Sequence, residues 1–196
     1  MSTSNAVQLL DDFVMKGQPN MSTPELIEAT QDVLLQGLGL LFELNDHNYS
    51  QSVAAPFNAS VGQHYRHVLE HFHSLIVGVR ASEVNYDARE RNPRLQGEVT
   101  YASIATCDVL RALKRYTEET LARSCKVINS VGYGTSNPST FESNVSRELA
   151  YCVGHAIHHY AIIRLICHEI GIGVPVEFGV APSTLQYMAS LAADPK

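Results

Sequence analysis

The sequence has no C-x-x-C pair, no run of Lys or Arg, and no apolar stretch approaching the roughly 20 residues that cross a bilayer. Each absence excludes something. The four cysteines, Cys107, Cys125, Cys152 and Cys167, are scattered, so they are expected as buried thiols rather than disulfides. Without clustered positive charge, and with a formal net charge of -6, the chain does not suit nucleic acid. Its first residues, MSTSNAVQLLDDFVMKG, have neither a basic start nor a long apolar core, so a cytoplasmic location and no membrane partner are expected. There is no H-E-x-x-H, no G-x-S-x-G elbow and no phosphate-binding glycine loop. A carboxylate-bridged di-iron bundle needs Glu-x-x-His on two helices; Glu70 and His73 match that spacing, but the last long helix lacks it.

What remains is an ordinary globular balance, 45% hydrophobic and 17% charged, in 196 residues with no repeat or linker. One domain over 1–196 is expected. Apolar spacing predicts long helices over 22–46, from Ser60 for about 20 residues, over 101–123, and over 144–170. Ser22 with Glu25 and Ser60 with Gln63 read as capping boxes, and Pro24 falls in a first turn. Gly37 and Gly39 either weaken the first helix or admit a close neighbour. The stretch 83–99 reads as a structured connection, and 125–142 as a short hairpin or ordered loop. Short helices are expected near 5–15 and from Ser183 to Ala192. The fold class is all-α: a four-helix bundle with small additions.

Histidine is what the sequence has in excess. The stretch GHAIHHYAII carries His155, His158 and His159. His155 and His159 are four apart and share a helix face with Cys152, whereas His158 points about 100° away. The second long helix carries GQHYRHVLEHFH, in which His64, His67 and His71 follow one face at spacings of three and four. Neutral imidazole is a good ligand for first-row ions. An i, i+4 pair plus one histidine from a facing helix gives three ligands and an open fourth position. Histidines bonded to carbonyls or carboxylates are the alternative. In NYDARERN, the residues Tyr86, Asp87, Arg89, Glu90 and Arg91 either pin a loop by ion pairs or offer Arg89 or Arg91 to an anionic substrate. Tyr151 and Tyr160 either pack or line the cavity.

The segments SVGQHYRHVLEHF, VNYDARERN and VSRELAYCVGHAIHHYAII, in that order, resemble the DinB/YfiT-like superfamily. The resemblance covers most of the chain from about Gln31. It implies a four-helix bundle, often a homodimer, holding a divalent ion on one histidine of the second helix and an H-x-x-x-H of the last. Carried over, these ligands are His67, His155 and His159. His64 and His71 stand one turn either side of His67 and, with His158, are alternates or neighbours of the ligands. Zinc or nickel is the expected ion, with iron or manganese also compatible. Some relatives transfer groups to low-molecular-weight thiols. The function expected is therefore a metal-dependent hydrolase or thiol S-transferase, or else a non-catalytic metal or small-ligand binder with the same site.

Overall fold

The computed structural model describes residues 24–54, 58–133 and 137–193. Ser22 and the expected helix near 5–15 lie outside them. The described chain is mainly helical, with a small sheet. Its elements are α1 (Glu25–Phe42), α2 (Asp46–Ser50), α3 (Val61–Ala81), β1 (Glu83–Asn85), α4 (Pro93–Gly97), α5 (Val99–Leu113), α6 (Glu118–Ala122), β2 (Ser124–Asn129), β3 (Ser139–Asn144), α7 (Val145–Glu169) and α8 (Pro182–Ala193).

The four long helices contact one another in a ring. α3 packs against α5 and α7, and α1 packs against the same two. The stripe Val61, Tyr65, Val68, Phe72, Leu75 and Val79 turns inward from α3, all of it buried. Leu149, Cys152, Ala156, Tyr160, Ile163 and Ile166 do the same from α7. Burying each large side chain contributes about 1.5–3 kcal/mol, so these stripes fix the pairing of α3 with α7. The α3 start is set by the expected box: Ser60 Oγ accepts from Gln63 N at 3.2 Å, and Gln63 Oε1 accepts from Ser60 N at 3.1 Å. α7 runs to Glu169 and is followed by Gly171 at φ +75, a conformation that glycine tolerates.

Two expectations need correction. The helix expected over 101–123 is broken: α5 stops at Leu113, and Thr117 starts α6 by accepting from Thr120 N at 3.3 Å. A side-chain oxygen at that position satisfies a free N–H at the start of a new helix. The hairpin expected over 125–142 does form, as β2 and β3 paired antiparallel from Ser124↔Asn144 to Asn129↔Ser139. The class is nonetheless not purely helical, because β1 adds in parallel to β2, Val84 opposite Val127. The connection 83–99 thus holds a strand and the short helix α4.

The strand β1 directs the chain that leaves it. Ser82 ends α3 in the left-handed region (φ 56), reversing the chain into β1. Tyr86 N then donates to Ile128 O at 3.1 Å, fixing the exit of the strand. Asn85 Oδ1 accepts from Asp87 N and Ala88 N, both at 3.0 Å. Asn92 N donates to the buried Glu70 carboxylate at 3.1 Å. The segment between Tyr86 and Asn92 is therefore tied at both ends and laid across α3.

Of the two α1 glycines, Gly37 is the one a neighbour crowds. A Cβ there would lie 2.1 Å from Tyr160 Oη, whereas one at Gly39 meets nothing within 4 Å. Tyr160 is fully buried, stacked against Tyr65 and Phe178, and cannot retreat cheaply. Gly37→Ala should therefore destabilise the fold by about 1–3 kcal/mol through overpacking. Gly39→Ala should be neutral or stabilising by up to about 1 kcal/mol through helix propensity. Urea unfolding midpoints of the two variants should move in opposite directions or differ clearly; equal midpoints would contradict the packing.

Candidate metal centre

Between α3 and α7 five histidine rings meet. His67 lies 4.8 Å from His155 and 4.6 Å from His159, centroid to centroid, and the latter two are 4.5 Å apart. His71 stands 4.1 Å from His155, and His64 stands 5.1 Å from His159. One ring nitrogen each from His67, His155 and His159 can be chosen so that all three lie within 4.8 Å of one another. His67 is the ring in contact with both members of the α7 pair. His158 is exposed and meets only the edge of His159 (5.3 Å, 82°).

Hydrogen bonds around the rings constrain their tautomers. His71 Nδ1 lies 2.8 Å from the His67 carbonyl, which can only accept, so Nδ1 carries the proton and donates. His64 Nδ1 and His159 Nδ1 are 2.9 Å apart, so one of the two must donate to the other. Arg89 Nη1 lies 2.6 Å from His67 Nδ1 and donates to it, since guanidinium has no acceptor. Its 3.3 Å approach to His71 Nδ1 sets donor against donor and is not a bond. His155 Nε2 is buried without a hydrogen-bond partner among the described residues.

Burial is the first cause of the lowered pKa of His67, His71, His155 and His159. Other imidazoles add to it for His67, His155 and His159, and the Arg89 guanidinium adds to it for His67, His71 and His155. His67 falls to about 2, His159 to about 3, and His155 and His71 to about 4. For His71, the bond to the His67 carbonyl acts in the opposite direction. At neutral pH the rings are uncharged, which is the state that offers a lone pair to a cation.

Three neutral imidazoles with a buried, unpartnered nitrogen among them fit a divalent first-row ion. His67, His155 and His159 would be the residues to hold such an ion. Arg89 already uses one lone pair of the His67 ring.

Outside the rings lies a second polar layer. Tyr86 stacks on His71 at 5.3 Å and donates to Glu148 Oε2 at 3.0 Å. Ser143 donates to the other oxygen, Oε1, at 2.6 Å. Cys152 Sγ lies 3.6 Å from Tyr86 Oη, and burial pushes its thiol up to about 12, so it stays protonated. The four cysteines are all free thiols. Tyr151 stacks on His155 at 5.7 Å. Tyr160 belongs to the core, stacked against Tyr65 and Phe178, so of its two readings the structure shows packing. Arg91 is exposed with φ +53, at the surface of the connection. Glu70 faces Asn92 and Arg66 rather than the rings. Of the outer layer, Glu148 is legible in the sequence as the residue seven before His155, two turns along one face. Tyr86 is not, because its place depends on the sheet.

No protein-family model matches the sequence. A curated relative, FK506-binding protein 5 of Rhizopus delemar, is 36% identical over 105 residues, 54% of this chain and 27% of that protein. The chain thus spans about a quarter of that relative's length. A solved structure of a DinB-like protein of Bacillus subtilis aligns with a TM-score of 0.60 at 16% identity, covering 79% of this chain and 98% of that one. The chain has a DinB-like fold, in agreement with the resemblance carried by its histidine segments.

The lowered pKa values make acid stability a readout of the cluster. Above about pH 7 the four rings are neutral in both the folded and unfolded chain and contribute no pH dependence. As pH falls through 6.5, the unfolded chain takes up protons that the folded rings refuse until about pH 4 and below. Folding free energy of the metal-free protein should therefore drop steadily from pH 6.5 towards 4. Urea titrations at pH 7.5, 6 and 5 read this directly; a flat profile over that range would contradict the burial.

Proposed function

We propose that this chain is a divalent-metal-binding protein of the DinB-like type, built on a four-helix bundle of α1, α3, α5 and α7, with His67, His155 and His159 as ligands. The observation that carries this reading is the convergence of three uncharged imidazoles from two helices, with ring nitrogens within 4.8 Å. Zinc or nickel suits an all-nitrogen set best, and iron or manganese is compatible. When bound, an ion with an open coordination position supplies the Lewis acidity that makes water or a thiol nucleophilic at neutral pH. The reaction class is accordingly hydrolysis or transfer to a low-molecular-weight thiol.

The chain's own residues divide the remaining work. His64 pairs with His159 and holds its ring, as a partner behind a metal-ligating histidine does. Tyr151 covers one side of His155 and limits water there. Arg89, half-buried beside His67, is placed to meet an anionic substrate, and Arg91 can assist only from the surface. Small-molecule chemistry also suits the net charge of -6, which disfavours nucleic acid. No helix among the described residues is long and apolar enough to cross a membrane. Free thiols at all four cysteines support a cytoplasmic location. A homodimer is supported by α8, which buries none of its residues and leaves Tyr187, Met188 and Leu191 exposed.

His155→Ala and His159→Ala should each lose stoichiometric zinc or nickel while keeping their helical circular dichroism, and His158→Ala should retain the ion. His64→Phe should weaken zinc by roughly 10–100-fold. Elemental analysis of the purified variants measures all four; full metal in both α7 variants would overturn the ligand assignment. Turnover should be sought first with small thiols and electrophilic acceptors, then with esters and amides. A reaction that survives complete chelation would overturn the metal-dependent mechanism.

A further inference from the structure

Arg89 makes a bond that the three-histidine reading cannot keep. A neutral imidazole has one nitrogen lone pair in the ring plane. With Arg89 Nη1 donating to His67 Nδ1 at 2.6 Å, that lone pair is in use and Nε2 carries the proton. A cation could take Nδ1 only by displacing Arg89. It could take Nε2 only after the proton moves to Nδ1, which then sets N–H against N–H. Both routes require the guanidinium to leave, and its positive charge beside the ligand opposes a second cation in either case.

Where the freed guanidinium can turn is also visible. Arg89 is at once a contact of His67 and part of the wall of a cavity of about 590 Å³ between α3 and α5. Apolar walls there come from Leu69, Ile76 and Val109. Besides Arg89, the charged groups lining it are Glu70, Glu83, Glu90 and Asp108. That lining repels an anion everywhere except beside Arg89, the one cation of the wall, whose Nη1 reaches His67. Arg89 Nε is buried and has no hydrogen-bond partner among the described residues, so the edge of the fork that grips a carboxylate with two bonds is unused there.

We propose that Arg89 holds His67 in the ion-free protein, is displaced when a divalent ion binds, and then grips a carboxylate-bearing ligand in the part of this cavity that Arg89 lines. Ion and carboxylate therefore bind with mutual strengthening, as linkage requires when each favours the same displaced position of Arg89. The inference rests on the three-histidine reading and adds to it an internal competitor and a substrate class.

The test uses the full-length, metal-free protein. Zinc affinity is measured by competition with a chromogenic chelator, with and without acetate, for wild type, Arg89→Met, Arg89→Gln and His155→Ala. Thermal unfolding of the metal-free variants checks that each folds. Arg89→Met and Arg89→Gln should bind zinc roughly tenfold or more tightly than wild type, the worth of a hydrogen bond from a charged group. Acetate should tighten zinc binding in wild type and clearly less in either Arg89 variant. Zinc bound by wild type and lost in His155→Ala, but no tighter in the Arg89 variants, would overturn the competition and leave the ligand reading standing. An equal acetate effect in wild type and variants would overturn the carboxylate assignment. Failure of both wild type and the Arg89 variants to bind zinc would overturn the ligand reading itself.

Discussion

The site depends on one constraint: imidazoles confined between two packed helices resist becoming charged. Taking His67, His155 and His159 partly out of water disfavours their protonated forms, and the charges that act on them come from other imidazoles and, for His67 and His155, the Arg89 guanidinium rather than from carboxylates. Among the described residues, no acid sits between the rings to draw a proton back. Glu148 is engaged by Tyr86 and Ser143, and Glu70 by the connection at Asn92. The result is a set of lone pairs available at neutral pH inside a folded core. The same burial leaves His155 Nε2 without a partner, a cost of about 1–3 kcal/mol that a ligated ion would offset.

The small sheet serves that constraint indirectly. β1 is only three residues long and would not hold alone, but its pairing with β2 directs the chain back across α3. Tyr86 at its exit reaches both His71 and Glu148, so one side chain joins the connection, the second long helix and the last. Arg89 comes three residues later, while Asn92 anchors the far end through Glu70. Strand and anchor together hold the connection that brings the Arg89 guanidinium to His67.

How much of this is legible in the sequence depends on which interactions are local. Helix periodicity marks the inward stripes of α3 and α7, and the Ser60–Gln63 box marks a helix start, because each signal is complete within one or two turns. The i, i+4 pair His155 and His159 is visible for the same reason. The break after Leu113 is hidden although Thr117 before Glu118 and Glu119 is a local cap signal, because apolar spacing through Leu121 continues the pattern across it. β1 is hidden for a different reason: Glu83, Val84 and Asn85 carry no strand pattern, and their conformation exists only through the distant strand β2. Arg89 and Tyr160 stand out as ionic or aromatic candidates. Only the tertiary arrangement sends one to the rings and the other into the core beside Gly37.

The excess of histidine on α3 has its own geometric logic. His64 and His71, with His67 between them, are seven positions apart, about 10 Å of helix axis, against about 6 Å between His155 and His159. A longer row facing a shorter one leaves the outer members beyond the ends. The contacts keep that order: His64 reaches His159, His67 reaches both α7 rings, and His71 reaches His155. This also fixes the two helices as antiparallel across the site, since rising numbers on α3 meet falling numbers on α7. The middle histidine is thereby the one able to complete a set of three. The outer two become buttresses, one paired to His159 through Nδ1 and one tied to the backbone of His67. A single histidine on α3 would have been enough for three ligands; three of them give a ligand with a neighbour holding each end of the row it faces.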